Sequence, residues 1–313
     1  MNHYPSNVKE KLNSIILSMA EHHWLFSKNP GHDFTRQHLG KLSFYDTMRL
    51  IISMGKGSTN DEIMDYFDLD PDLIPSQSAF CQRRRQISLS AFEYLFSEFS
   101  SSFPSTTDKF KDHCILACDG CHVVYATNSD IIEDYNKPRL IDYKGYNHMH
   151  LNGFVDVISK AFLDVVIQPG QQPDEREALH SMLDHFTPDD PQKYIITADR
   201  GYESYDLLFH CELKNLGYVF RVKSPSFPKS ILSYYASELP DDLEEFDVTI
   251  KRFFTDKATN IMKSQSDVYR YINPSKNTPH FYELLRKNHS HLYFLQFRVV
   301  KIKTAGISKT GNL

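Results

Sequence analysis

The sequence predicts an α/β fold: a mixed sheet with flanking helices, preceded by an all-helical N-terminal domain and interrupted by a β-rich insertion. Two short apolar runs, 114–118 and 194–198, predict buried strands, because each is followed by an aspartate and a nearby glycine. Apolar side chains at helical spacing over 174–186 and 204–216 predict the flanking helices.

We predict three domains. We expect residues 1–107 to be a helical domain with a linker at 100–107, residues 108–224 to be the first part of an α/β core, and residues 225–313 to be the β-rich insertion. Apolar spacing and breaker residues predict four N-terminal helices, within 1–30, over 43–54, over 76–87 and around 90–99. A capping-box spacing at Thr59 and Glu62 predicts a further short helix between the second and third of these.

The helix predicted over 76–87 is the best candidate for reading DNA. Its Arg83, Arg84 and Arg85 can reach phosphates. A solvated helix face explains the same three arginines equally well, so the spacing leaves both interpretations open.

From residue 113 onward the periodicity changes to that of a sheet. The predicted elements are a strand ending at Asp119, a hairpin of 146–158 and 161–168, a helix opened by Asp174 and Glu177, the 194–198 strand, a helix closed by Gly217, and a strand over 218–222. A mixed sheet of the ribonuclease-H type has this order, with acids on its first and fourth strands. Beyond Lys223 we predict strands over 247–254, 268–272 and 291–303.

Asp119 and Asp199 are the candidate metal ligands. If their strands are adjacent and parallel, both carboxylates lie at one end of the sheet, where hard oxygen ligands hold Mg²⁺ or Mn²⁺. Taken singly, each acid is explained more simply by a turn. His148 and His150 share a strand face and could be ligands, but a half-exposed strand face is the favoured interpretation.

Composition limits the class of protein. Hydrophobic residues make up 41% and charged residues 24%, as in ordinary globular proteins. No N-terminal stretch is typical of a signal peptide or membrane span, and five cysteines fit reduced thiols, so we expect a cytoplasmic location without a membrane.

Cys118 and Cys121 form one C-x-x-C pair, but core packing is favoured over zinc because no second pair exists. The net charge of −5 excludes no partner, since bound divalent ions change the local field.

The residues Cys118-Asp-Gly120 and Thr197-Ala-Asp-Arg-Gly-Tyr202, together with Asp33-Phe-Thr-Arg36 and Arg221-Val-Lys223, resemble the DDE transposases of the IS-four group of bacterial insertion sequences. The likeness runs from about residue 30 to the end. The resemblance implies a ribonuclease-H-like catalytic domain in which three carboxylates hold two divalent ions, Mg²⁺ or Mn²⁺. It places the first two acids at Asp119 and Asp199.

The resemblance also implies a third acid, a glutamate after the insertion within a signature of Tyr, Arg, Glu and Lys. Tyr282-Glu-Leu-Leu-Arg286 does not have the required spacing, so we expect this acid beyond Leu313 and the chain to be incomplete at its C-terminus. The implied partners are double-stranded DNA, as terminal inverted repeats and target, and further copies of the chain on DNA. The location would be the bacterial cytoplasm, at the nucleoid. Arg200, Arg221 and Lys223 are candidate phosphate contacts.

The leading functional hypothesis is therefore a DNA transposase that cleaves element ends and joins them to target DNA by two-metal phosphoryl transfer. A second hypothesis is a non-catalytic DNA-binding remnant that lacks the third acid. A third is a general nuclease or phosphoesterase on the same fold, which would cleave DNA without any repeat.

Overall fold

The computed structural model describes residues 4–35, 40–102, 109–138, 144–257, 259–273 and 278–303. Its contacts divide the chain into two compact units, Met1–Pro104 and Ser105–Leu313. Most of the predicted linker, at 103–107, and Arg36 of the family-like motif lie outside the described residues.

The described part of the first unit contains five α-helices: α1 (Tyr4–Glu21), α2 (Phe44–Ser53), α3 (Thr59–Tyr66), α4 (Gln77–Gln86) and α5 (Ser90–Ser101). Their apolar faces share a core that includes Ile16, Met48 and Ala91. The predicted capping box at Thr59 is wrong by one residue, because the Ser58 side chain accepts the backbone N–H of Asp61 and so begins α3.

The second unit is built on a sheet of six strands in the described residues. These are β1 (Cys114–Tyr125), β2 (Tyr135–Asn136), β3 (Tyr146–Asp156), β4 (Phe162–Pro169), β5 (Tyr194–Ala198) and β6 (Gly217–Phe220). Strand β1 pairs antiparallel with β3 and parallel with β5, which pairs parallel with β6, while β2 and β4 pair with β3. The predicted mixed α/β fold and the β3–β4 hairpin are confirmed, and the order is consistent with a ribonuclease-H-type sheet.

The first predicted strand is longer than the sequence indicated. We expected it to end at Asp119, but β1 continues to Tyr125 because its residues 116–125 pair with β3. Asp119 therefore lies inside the strand, and Asp-Gly is not a turn here. What ends at this position is the parallel pairing with β5, whose last partners are Cys118 and Ala198.

Helices α6 (Glu175–His185) and α7 (Tyr205–Leu213) cover one face of this sheet. Asp174 and Ser204 cap them through side-chain acceptors. The prediction that Gly217 closes α7 is wrong, since Gly217 belongs to β6 and the chain turns at Asn215, whose φ of 53° is left-handed. The core beneath the helices includes Leu116, Phe154 and Ile196, all fully buried.

The segment from residue 225, which we predicted to be an insertion, contains in its described part the predicted strands, β7 (Phe246–Thr255), β8 (Tyr269–Tyr271) and β9 (Leu292–Lys301), in the order β8-β7-β9. It also contains two helices that the sequence reasoning missed, α8 (Asn260–Ser264) and α9 (Pro279–Lys287). Phe281, Leu284 and Leu285 of α9 pack with Phe209 of α7. Helix α7 therefore lies between the core sheet and the insertion, which explains why its residues 206–211 are buried all round.

Candidate active site

Asp119 lies within β1, and Asp199 is the first residue after the neighbouring parallel strand β5. The residues immediately before them, Cys118 and Ala198, are register partners at the end of the β1–β5 pairing. Neighbouring strands lie about 4.8 Å apart, so the two acids are brought together at one end of the sheet. The predicted parallel arrangement is present.

Both carboxylates face solvent rather than the core. The two residues are exposed. The Oδ1 atom of Asp119 accepts the backbone N–H of Gly120 at 2.9 Å, and that of Asp199 accepts the N–H of Gly201 at 2.7 Å. Their remaining oxygens are available to ligands, and hard oxygen donors of this kind suit Mg²⁺ or Mn²⁺.

A third carboxylate, missed by the sequence reasoning, belongs to Glu175 at the first position of α6. A Cβ built on Gly201 would lie 2.9 Å from Oδ1 of Asp199 and 3.1 Å from Oε2 of Glu175, so both carboxylates border the same glycine. Arg176 holds this loop by donating to the carbonyl oxygen of Gly201 at 3.2 Å. Within the described residues, the three carboxylates do not all come within 4.8 Å of one another.

The interpretation that His148 and His150 lie on a half-exposed strand face is wrong. Both residues are buried, at 7% and 3% exposed. Burial holds the pKa of His150 below its ordinary value, although Glu175, 3.4 Å away, opposes this. Gly120 is required beside them, because a Cβ there would lie 2.4 Å from Cε1 of His150. His150 therefore packs on the face of the sheet that α6 covers, whereas the Asp119 side chain lies on the opposite face.

The C-x-x-C pair does not form a zinc site. Cys118 is buried in the core under α6, whereas Cys121, three positions along the same strand, is exposed. Side chains an odd number of positions apart on a strand point to opposite faces. Burial raises the pKa of the Cys118 thiol to about 12, so it remains protonated.

The predicted phosphate contacts differ in their surroundings. Arg200 and Arg221 are exposed, and the backbone N–H of Arg221 donates to the carbonyl of Ala198 at 3.0 Å, beside Asp199. Lys223 instead approaches the buried Glu203, with Nζ 3.5 Å from Oε2. The Lys223 ammonium group therefore forms an ion pair within the protein, which makes it less available to a phosphate.

The three arginines of α4 also differ in exposure. Arg84 and Arg85 are exposed. Arg83 is only 9% exposed, donates to Gln86 at 3.1 Å, and lies 5.1 Å from the centre of the Phe34 ring. The prediction that all three reach DNA is therefore wrong for Arg83, which packs inside the helical unit.

The transposase DDE domain family matches residues 110–291, more than half of the chain. The chain belongs to this family. No curated protein matches the sequence. The match covers the sheet, helices α6 and α7, both aspartates and most of the insertion. Transposases of this family act on DNA and typically use divalent metal ions. Within the described residues, no helix is long and apolar enough to cross a membrane.

Proposed function

We propose that this chain is a DNA transposase of the IS-four type, which cleaves the ends of an insertion sequence and joins them to target DNA. The observation that carries the proposal is the placement of Asp119 and Asp199 at the end of the parallel β1–β5 pairing, inside a transposase DDE domain. Acids at neighbouring strand positions beside an exposed surface are suited to phosphoryl transfer on DNA.

Asp119 and Asp199 fit divalent ions by the chemistry of their donors, since both are exposed carboxylates, one within β1 and the other directly after the adjacent strand β5. Two bound Mg²⁺ or Mn²⁺ ions would stabilise the attacking and leaving oxygens of an in-line displacement at phosphorus. The residues of the chain fix the position of the reaction: the β1–β5 pairing sets the separation of the acids, and the Gly201 loop, held by Arg176, orients Asp199.

We propose that DNA approaches across Arg200 and Arg221. Both residues are exposed, Arg200 follows Asp199 in the chain, and the backbone N–H of Arg221 donates to the carbonyl of Ala198. Phosphate contacts of this kind position the backbone and carry no sequence information. Recognition of terminal repeats would then fall to the helical unit, where Arg84 and Arg85 are exposed on α4. Cleavage of two element ends also calls for self-association on DNA.

For the third acid we propose a glutamate on a helix that packs against the sheet. The face of the sheet opposite α6 and α7, on which Asp119 lies, carries no described helix of the second unit. Ile167 and Val219 are 61% and 63% exposed there. Mixed sheets usually bury such a face under helices. A helix packed on it would run beside Asp119 and could bring a carboxylate to the metal site.

A second candidate function is a DNA-binding remnant without catalysis. It is favoured by the separation of Asp119, Asp199 and Glu175, which do not form a compact set of three ligands in the described residues. Such a protein would still bind terminal repeats through its helical unit.

Metal-dependent nicking of DNA that contains the genomic flanks of this gene tests the proposal. The full chain should nick near one defined end in Mg²⁺, and Asp119→Asn and Asp199→Asn should each abolish nicking. Glu177→Gln is the matched control, since it neutralises another exposed carboxylate of the same unit, on α6. Binding without nicking would favour the remnant, and nicking of unrelated DNA would favour a general nuclease.

A further inference from the structure

Three histidines from three helices meet between the core and the insertion. His180 lies on α6, His210 on α7 and His280 on α9. One ligand atom from each lies within 4.8 Å of the other two. No metal has a role assigned here, and the cluster shares no residue with the candidate active site.

Each imidazole turns one nitrogen toward a carboxylate. His210 Nε2 lies 3.2 Å from Asp184, and His180 Nε2 lies 3.6 Å from Asp206. His280 Nδ1 lies 2.7 Å from the same oxygen of Asp206. A histidine that donates one N–H to a carboxylate presents its other nitrogen as a lone pair, which is the usual arrangement of metal-binding histidines.

The inward nitrogens of two rings share one hydrogen bond. The Nδ1 atoms of His180 and His210 are 2.9 Å apart, so one neutral ring donates its Nδ1–H and the other accepts. The donating ring then turns its Nε2 lone pair toward a carboxylate, which is unfavourable. A cation bound to the inward nitrogens would remove this contact, because each ring could then carry its proton on Nε2.

We propose that His180, His210 and His280 bind one transition-metal ion of the Zn²⁺ type, with Asp206 and Asp184 holding the imidazoles from outside. The His180 and His210 ligands would be the Nδ1 atoms, and the His280 ligand would be Nε2. Neutral imidazole is a preferred ligand of zinc. The two carboxylates balance the charge of a divalent ion.

The ion would require the rings to turn. The His180 and His210 rings stack at 17°, and each stacks at 11° on the His280 ring. A nitrogen lone pair lies in the plane of its ring, so nearly parallel rings must rotate about χ2 to point at one ion. Nitrogens on a tetrahedral zinc lie about 3.4 Å apart, so the 2.9 Å contact has to lengthen by only about half an ångström.

The site is enclosed, and therefore suited to a structural role. The side chains of His180, His210 and His280 are 12%, 2% and 14% exposed. Asp206 also accepts the backbone N–H groups of His280 and Phe281 at 3.1 and 3.2 Å, and so caps the first turn of α9. A bound ion would thus fasten the insertion helix to the two helices of the core.

Zinc binding to the full chain tests the proposal. The protein should carry Asp119→Asn and Asp199→Asn, so that the candidate active site does not contribute, and Zn²⁺ should compete with a chromophoric chelator. We expect one Zn²⁺ per chain and a higher unfolding temperature than in EDTA. His280→Gln and His210→Asn should each weaken binding at least 100-fold. His185→Gln is the matched control, because His185 lies on α6 but is 69% exposed and pairs with Asp164.

X-ray absorption at the zinc edge gives a readout that needs no variant at the histidines. Three imidazole ligands should contribute to the first shell. The proposal is overturned by an oxygen-only shell, by the absence of binding at 10 μM Zn²⁺, or by binding that survives both substitutions. Binding that is lost instead in His122→Gln would place the ion at the histidines beside Asp119 and would equally overturn it.

Discussion

Glu203 gives a sharp test of how residues 223–231 are held. Its side chain is 1% exposed. Oε1 accepts from the Ser230 hydroxyl at 2.8 Å and from the backbone N–H of Ile231, and Oε2 accepts the backbone N–H of Lys223 at 3.3 Å. Glu203→Ala would leave two backbone donors without an acceptor, while Ser230 could still donate to the Lys223 carbonyl. At about 1 to 3 kcal/mol for each unpaired donor, and because both are only partly buried, we expect a loss of about 3 kcal/mol.

Glu203→Gln should cost less, about 1 to 2 kcal/mol, since the amide oxygen can replace Oε1 while the NH₂ group faces Lys223. Hydrogen exchange of a peptide covering 223–235, followed by mass spectrometry, measures the loss directly. We expect exchange on the order of 100-fold faster in Glu203→Ala. Glu244→Ala, which breaks only a surface pair with Lys303, is the control. Exchange within threefold of wild type in Glu203→Ala, or a larger effect of Glu203→Gln, would refute the reasoning.

Four further outcomes follow from the packing and charges. Gly120→Ala should destabilise the second unit by about 1 to 3 kcal/mol in urea unfolding, because the new Cβ meets the buried His150, and a neutral result would contradict the close approach. Phe209→Ala should cost about 3 to 5 kcal/mol by the same assay, and the partly exposed Phe253→Ala less than half as much. In EDTA, lowering the pH from 7 to 4.5 should destabilise the fold by about 2 to 3 kcal/mol through His180 alone. Its lowered pKa favours neutral histidine, so stability present above pH 6.5 is lost toward pH 4; His180→Gln should flatten this dependence. Arg84→Ala and Arg85→Ala should each make the slope of log K for DNA binding against log salt concentration shallower by about one. An unchanged slope would exclude these phosphate contacts.

The sequence predicted the acids because the signal was local. An apolar run that stops at Asp119 or Asp199 is visible in a few residues, and the order of elements predicted the mixed sheet. The extent of β1 was missed because Asp119-Gly120 has the composition of a turn. Val123, Val124 and Tyr125 are strand-forming residues, and residues 120–125 continue the strand by pairing with β3.

Helix α9 could have been found. Pro279 at its start and Phe281, Leu284 and Leu285 at helical spacing are ordinary helix signals, but the surrounding strand-like segments obscured them. Glu175 was hidden for another reason, since it is next to the capping residue Asp174, and acids in the first turn of a helix are common.

The histidine cluster had no sequence signal at all. His180, His210 and His280 are separated by 30 and 70 residues and lie on three different helices. Each of them alone is an ordinary helical histidine. Only the packing of α9 on α7 brings the third ring to the other two.

Mapping of the metal site by Fe²⁺-generated hydroxyl radicals tests the central claim most directly. An ion held by Asp119 and Asp199 should cut the chain near both residues. Excess Mg²⁺ should suppress these cuts, and Asp119→Asn or Asp199→Asn should remove both, whereas Glu177→Gln should leave them unchanged. Cuts at only one of the two strands, or cuts that persist in either aspartate variant, would contradict a shared metal site.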